Sequence, residues 1–149
     1  MSEIAFYHLT RSRLEEALPR LLEKVLEAGK RAVVRGTDPE RIEHLARVLW
    51  TYERDSFLPH GTQRDGFPER QPVWLTTEAE NPNRAQVLVL VDGAEHEGIE
   101  GFERVLDLFD GNDPEQLERA RGRWKAARAA GHTLTYWRQD ERGRWRRER

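Results

Sequence analysis

The chain has 149 residues, of which 37% are hydrophobic and 35% charged, and its formal net charge is −2. This length is typical of one domain, and five Trp and five Phe residues distinguish the chain from a disordered segment. Cysteine is absent, which excludes disulfides, thiolate catalysis and cysteine-bearing zinc sites. With no leader pattern and no long apolar run, we expect a soluble cytoplasmic protein.

The first fifty residues predict alternating strands and helices. A strand predicted over residues 5–9 precedes apolar residues at helical spacing over residues 14–28, and a second strand is predicted over residues 31–35. Asp38 is then a candidate N-cap, with Pro39 in the first turn of a second helix. This order is typical of a layered α/β fold.

Between residues 52 and 71 the periodicity disappears, and charged residues, Gly and Pro accumulate. We expect a long surface loop here. It contains a short apolar core of Phe57, Leu58 and Pro59, close in sequence to Trp50 at the end of the second helix. Either these side chains fold back on the core or a partner protein covers them, and the sequence leaves both open.

The second half of the chain predicts strands over residues 73–76, 86–91 and 104–109, a third helix and a last strand over residues 133–137. Asp113 and Pro114 mark the start of the helix, and Gly131 marks its end.

The pattern as a whole predicts a three-layer α/β/α, Rossmann-like domain over residues 1–137. We expect a mostly parallel sheet with one antiparallel edge strand. A basic, flexible tail is predicted over residues 138–149, because that segment is rich in Arg and low in apolar residues.

Basic charge is concentrated at the C-terminal end. Residues 115–149 hold eleven Lys/Arg and five Asp/Glu, a net charge of +6, which leaves −8 for the rest of the chain. At ~100° per residue, three basic residues of the third helix, Arg121, Lys125 and Arg128, share one stripe with Trp124 at its border.

Two interpretations of this stripe remain open. Trp124 is either a core residue beside solvated arginines, or part of a site for an acidic peptide with an apolar anchor. The second interpretation has a physical basis, because Arg binds a carboxylate with two hydrogen bonds while the apolar patch buries a side chain.

The motifs of catalysis are missing. Neither GxGxxG nor GxxxxGK[ST] follows a strand, and none of the three serines lies in GxSxG. Residues 95–97, Glu-His-Glu, are the one cluster that could bind a metal or transfer protons, and a solvated loop is the more common explanation of such a cluster. We therefore expect no cofactor and no catalytic activity.

Several segments, taken in order and spacing, resemble the chi subunit of bacterial DNA polymerase III. They are Phe6-Tyr7, Leu49-Trp50, the SFLPHG run over residues 56–61, the FERV run over residues 102–105, and the third helix with Arg121, Trp124, Lys125, Arg128 and Gly131. The resemblance spans residues 4 to about 137.

The resemblance implies a non-catalytic accessory subunit of the clamp loader. Such a subunit bridges the psi subunit to the acidic C-terminal tail of single-stranded DNA-binding protein during DNA replication. It implies a tail-binding site at Arg121, Trp124, Lys125 and Arg128. It also implies a psi-binding surface at Trp50, Phe57, Leu58 and Pro59.

Two departures from the family are visible. Ala127 stands where the family often has a second aromatic residue, and Tyr136 is a candidate to supply the missing pocket wall. The segment 138–149 outruns the usual family end. Its arginines, with Trp137 and Trp145, leave open the alternative of direct single-stranded DNA binding.

Overall fold

The computed structural model describes residues 3–51 and 59–149. Its helices are α1 (Leu14–Glu27), α2 (Pro39–Thr51) and α3 (Pro114–Ala129). Its strands are β1 (Glu3–Leu9), β2 (Ala32–Arg35), β3 (Gly61–Thr62), β4 (Val73–Thr76), β5 (Val87–Leu90), β6 (Arg104–Asp110), β7 (Thr133–Gln139) and β8 (Trp145–Arg147). Within these residues, no helix is long and apolar enough to cross a membrane.

The strands form one sheet in the order β3-β4-β2-β5-β6-β1-β7-β8. Neighbouring strands pair in parallel, except that β8 runs antiparallel to β7 at one edge. All four residues of the apolar strand β5 are buried, because helices cover both faces of the sheet. The predicted Rossmann-like α/β fold with a mostly parallel sheet is confirmed.

The helices divide between the two faces. Buried residues of α1 and α2, such as Leu22 and Leu45, pack with Val34 in the core on one face. On the other face, α3 contributes Ala120 and Ala127, which pack with Phe6 and other sheet residues. Arg123, between these two alanines, is the third buried residue of α3.

The helix boundaries follow the predicted capping residues. The Asp113 side chain accepts hydrogen bonds from the backbone N–H groups of Glu115 and Gln116 at 3.0 and 3.4 Å. At the other end of α3, Gly131 adopts a φ of 84°, which favours glycine. Local sequence signals therefore determine where α3 begins and ends.

The predicted loop over residues 52–71 contains short structure that its composition did not indicate. Gly61–Thr62 pair with β4 as the two-residue strand β3, and Pro68–Arg70 form one 3-10 turn. A two-residue strand has no periodicity to detect in a sequence. Residues 52–58, and with them Phe57 and Leu58, lie outside the described residues.

The C-terminal segment differs from the predicted boundary after residue 137. Strand β7 continues to Gln139, and β8 pairs with it across a turn in which Gly143 has a φ of 77°. The Trp145 ring packs edge-on against Tyr7 with centroids 4.9 Å apart, and the Trp137 ring stacks on Tyr7 at 6.1 Å. Trp145 packing and the pairing of β8 with β7 thus attach a segment whose overall composition indicated a tail.

Candidate functional site

A cleft of about 1300 Å³ lies between α3 and the β7–β8 hairpin. Its base includes Thr10, Gly111 and Gln139, which stand at or just after the carboxyl ends of β1, β6 and β7. Open parallel α/β sheets bind their ligands at this edge. We refer to this cavity as the basic cleft.

Aromatic side chains form the floor of the basic cleft. The Trp124 ring meets Phe6 and Tyr136 edge-on, with centroid distances of 5.2 and 5.7 Å. Trp124 and Tyr136 are both half-buried and both line the cleft. The two interpretations of Trp124 are therefore compatible, because one part of the ring packs on the core while another part faces the cleft.

Tyr136 is fixed by a hydrogen bond across the sheet. Its hydroxyl lies 2.6 Å from Nδ1 of His8, which is buried on β1. Burial raises the pKa of Tyr136 and lowers the pKa of His8, because both charged forms are poorly solvated there. The pair therefore presents neutral, hydrogen-bonded rings to the cleft at neutral pH.

Basic side chains form the rim. Seven Lys/Arg and three Asp/Glu line the cleft, so its net charge is strongly positive. Arg121 and Lys125 are exposed on α3, and the Arg149 guanidinium lies over the Trp124 ring at 5.9 Å. A cavity with an aromatic floor and a cationic rim suits a ligand with an apolar group next to carboxylates.

The structure brings together four of the five residues predicted for the tail site. Arg121, Trp124, Lys125 and Tyr136 all line the cleft. Arg128 is exposed on α3 but does not line it. Because α3 runs antiparallel to the strands, a residue one turn after Trp124 lies farther from the carboxyl edge of the sheet. Ala127 is buried between α3 and the sheet and does not line the cleft. Tyr136 lines it instead.

The second predicted surface lies at the end of α2. The Trp50 side chain is 61% exposed, and its ring meets His60 edge-on at 5.1 Å. The His60 ring nitrogen Nε2 lies 3.0 Å from the carbonyl oxygen of Ala46, which ties the chain after the undescribed segment back to α2. Pro59 is half-buried directly before His60, so two of the four predicted residues fall at one end of α2.

Sequence reasoning missed a buried ion pair beneath α3. Asp107 on β6 accepts hydrogen bonds from Arg123 Nε and Nη2 at 2.7 and 3.0 Å, and His96 Nε2 lies 2.8 Å from the same carboxylate. The charged residue inside the apolar strand over residues 104–109 was the available signal. His96 is thus half-buried against Asp107, whereas Glu95 and Glu97 beside it are exposed, as the solvated-loop explanation predicted.

The 95–97 cluster was also a candidate metal site. In the part of the chain that the structure describes, no three His, Cys, Asp or Glu side chains are grouped to hold a metal ion.

Fold and site together define a class of protein: a parallel α/β domain that lacks a phosphate-binding loop and carries a basic, aromatic cleft suited to binding. The family model described as DNA polymerase III chi subunit, HolC, matches residues 1–135. The chain therefore belongs to the DNA polymerase III chi subunit family, which confirms the resemblance seen in the sequence.

A curated relative agrees with this assignment. The probable DNA polymerase III subunit chi of Rickettsia prowazekii (strain Madrid E) is 34% identical to this chain over 117 residues. The match covers 74% of this chain and 71% of the relative.

Proposed function

We propose that this chain is a non-catalytic accessory subunit that joins two proteins during DNA replication. One partner is the psi subunit of the polymerase, which binds the surface around Trp50. The other is the acidic C-terminal tail of single-stranded DNA-binding protein, which binds the basic cleft. Membership of the chi family supports a place in the polymerase holoenzyme.

The observation that carries the proposal is the aromatic floor inside a cationic rim. A terminal Phe of the tail buries its ring against Trp124 and Tyr136, whose side chains line the same cleft. Its carboxylates then lie within reach of Arg121 and Lys125, which are exposed on the adjacent helix turn. Trp and Arg are the residue types that most often dominate binding energy.

A titration with a labelled peptide tests the cleft. The peptide carries several Asp residues and ends in Phe with a free carboxylate. We expect saturable binding that weakens as salt rises, and Trp124→Ala should weaken it about 30-fold, the factor for a hot spot of ~2 kcal/mol. Trp50→Ala is the matched control, since it removes an exposed tryptophan elsewhere. Undetectable binding at low salt, or equal effects of the two variants, would refute the cleft assignment.

The psi surface needs a separate experiment. Trp50 is a large apolar side chain that is exposed at the end of α2, and Trp is among the residue types most enriched at binding hot spots. We expect Trp50→Ala to weaken binding of purified psi subunit by at least about ten-fold, and Trp124→Ala to leave that binding unchanged. Unaltered psi binding by the Trp50 variant would place that partner elsewhere on the chain.

The alternative of direct single-stranded DNA binding has weaker support. Stacking on bases requires exposed aromatic faces. The rings of Trp137 and Trp145 both pack against Tyr7, so the tryptophans near the basic C-terminal segment are engaged in packing.

A further inference from the structure

Six of the seven Lys/Arg residues that line the basic cleft form two groups, and the seventh, Arg11, follows β1. The first is on α3 and consists of Arg121 and Lys125. The second, which we call the hairpin bank, is on the other wall and consists of Arg138, Arg142, Arg144 and Arg149. The match to the chi family ends at residue 135, so the hairpin bank lies beyond the matched residues.

The hairpin that carries this bank is firmly attached. The Gln139 side-chain oxygen accepts hydrogen bonds from three consecutive backbone N–H groups, those of Thr10, Arg11 and Ser12, at 3.0, 2.9 and 3.0 Å. Its amide nitrogen donates to Ser12 Oγ at 2.9 Å. Gln139 is buried, so these bonds hold the hairpin to the end of β1 and preorganise the arginines that follow it.

Asp140, one of the three acidic side chains that line the cleft, already accepts hydrogen bonds within the hairpin turn. Asp140 accepts from the backbone N–H groups of Arg144 and Arg142 at 3.0 and 2.9 Å, and Arg146 Nε lies 3.1 Å from it. These hydrogen bonds hold the pKa of Asp140 below its usual value. Within the described residues, the guanidinium groups of Arg138 and Arg142 form neither a hydrogen bond nor an ion pair.

The size of the cleft indicates a ligand longer than one anchoring residue. Pockets for drug-sized molecules hold roughly 300–1,000 Å³, and this cleft measures about 1300 Å³. One aromatic side chain with its carboxylate fills only the part beside Trp124. Arg138, Arg142 and Arg144 of the hairpin bank line the same cavity as Trp124.

We propose that the hairpin bank is a second subsite, which binds the acidic residues that precede the aromatic anchor of a bound peptide. This inference rests on the proposed function of the cleft. It adds a binding site for a run of Asp or Glu side chains, with Arg138 and Arg142 as its main contacts. The hairpin bank itself consists of arginines, and the tryptophans of its strands, Trp137 and Trp145, pack on Tyr7. We therefore take an acidic peptide, and not a nucleic acid, as its occupant.

The test compares two labelled peptides on the full chain. Both end in Phe with a free carboxylate; the short one has no acidic residue before the anchor, and the long one has four Asp. We expect the wild type to bind the long peptide roughly ten-fold more tightly at low salt. Arg138→Gln/Arg142→Gln should remove most of this gain, reduce the salt dependence, and leave the short peptide unaffected.

A matched control separates the subsite from general charge effects. Arg20→Gln/Lys24→Gln removes the same charge from exposed positions of α1, outside the cleft, and should leave the gain intact. The subsite proposal is wrong if both double variants lose the affinity gain of the long peptide equally. It is also wrong if Arg138→Gln/Arg142→Gln weakens both peptides equally. Neither result contradicts peptide binding in the cleft. A different result would contradict the proposed function of the cleft: a Trp124→Ala variant that binds the short peptide as tightly as the wild type.

A labelled oligothymidine with the same net charge as the long peptide tests whether the hairpin bank binds nucleic acid instead. We expect it to bind more weakly than the long peptide. If the hairpin variant loses oligothymidine but retains the gain for the long peptide, the bank binds nucleic acid and the proposal is wrong. Thermal melting of each variant confirms that a lost gain does not reflect unfolding.

Discussion

His8 shows how tightly the residues at the base of the cleft are packed. Its ring is buried, lies 2.6 Å from the Tyr136 hydroxyl through Nδ1, and meets the Phe109 ring with centroids 5.0 Å apart. Gly111 follows β6 on the remaining side, where an added Cβ would overlap the imidazole. Gly111 therefore influences the position of Tyr136 indirectly, because it leaves room for the His8 ring that hydrogen-bonds the Tyr136 hydroxyl.

Gly111→Ala should destabilise the protein, because an added Cβ would overlap the His8 ring, which packs against Phe109 and Tyr136, and would lie close to the Leu9 carbonyl oxygen. We expect the free energy of unfolding to fall by about 1–3 kcal/mol. Gly122→Ala is the control: Gly122 is an exposed residue within α3 with nothing near its added Cβ, and the change should raise stability by about 0.5–1 kcal/mol. Urea denaturation measures both, and the same sign for the two variants would contradict the packing described.

His8 also gives stability a defined pH dependence. Its pKa is lowered first by burial and then by Arg138 and Arg121, against the opposite effects of Glu148 and Asp110. Between that lowered pKa and the ordinary value of about 6.5, the unfolded chain binds more protons than the folded one. Stability must therefore fall as the pH decreases through this window, with a slope of at most about 1.4 kcal/mol per pH unit from this group.

His8→Asn should remove this contribution, since Asn can hydrogen-bond Tyr136 without titrating. Urea denaturation at pH 7.5 and pH 5 should show a larger loss of stability for the wild type than for the variant. An identical loss in both proteins would mean that His8 does not resist protonation.

At the level of elements, α3 depends on the buried ion pair as well as on apolar contact. Its buried residues are two alanines and Arg123, so its inward face offers little hydrophobic surface. The two hydrogen bonds from Arg123 to Asp107 fix the rotation of α3 about its own axis on the sheet. The rotation in turn determines that Trp124 borders the cleft.

Arg123→Met should be strongly destabilising, because it leaves the Asp107 carboxylate buried without its guanidinium partner. We expect a loss of about 3–5 kcal/mol in urea denaturation, and substantial recovery when Asp107→Leu is added. Arg119→Met, which breaks an exposed pair with Glu115 on the same helix, should change stability by less than about 1 kcal/mol. If Arg123→Met and Arg119→Met lower the free energy of unfolding by similar amounts, the buried pair contributes no more to stability than the exposed pair.

For the whole molecule, the sheet separates the two proposed binding surfaces. Helix α2, with Trp50 at its end, packs on one face, and α3 packs on the other. The described residues at these two places do not overlap, which favours a bridge in which each proposed partner binds without hindering the other.

We therefore expect little thermodynamic coupling between the two sites. Saturation with psi subunit should change the dissociation constant of the acidic peptide by less than about two-fold, as measured by fluorescence titration. A Trp50→Ala chain titrated under the same conditions provides the baseline without that partner. A change above about ten-fold would show that the surfaces communicate through the sheet.

The sequence by itself determined the features that depend on neighbours along the chain. Strand and helix alternation, the Asp113 cap, the Gly131 terminus and the stripe with Trp124 all follow from spacings of a few residues, where periodicity and capping act. Family membership was likewise readable from ordered short segments.

Only the tertiary structure decided which distant residues meet. Gln139 bonds to Thr10 across 129 positions and Tyr136 to His8 across 128, and no local pattern encodes such pairs. The hairpin was missed for this reason, since Trp145 is stabilised by Tyr7 on a strand at the other end of the chain. The stripe on α3 was thus predictable from the sequence. The β7–β8 hairpin, which forms the other side of the cleft, is placed there by the parallel pairing of β1 with β7, and no local pattern predicted that pairing.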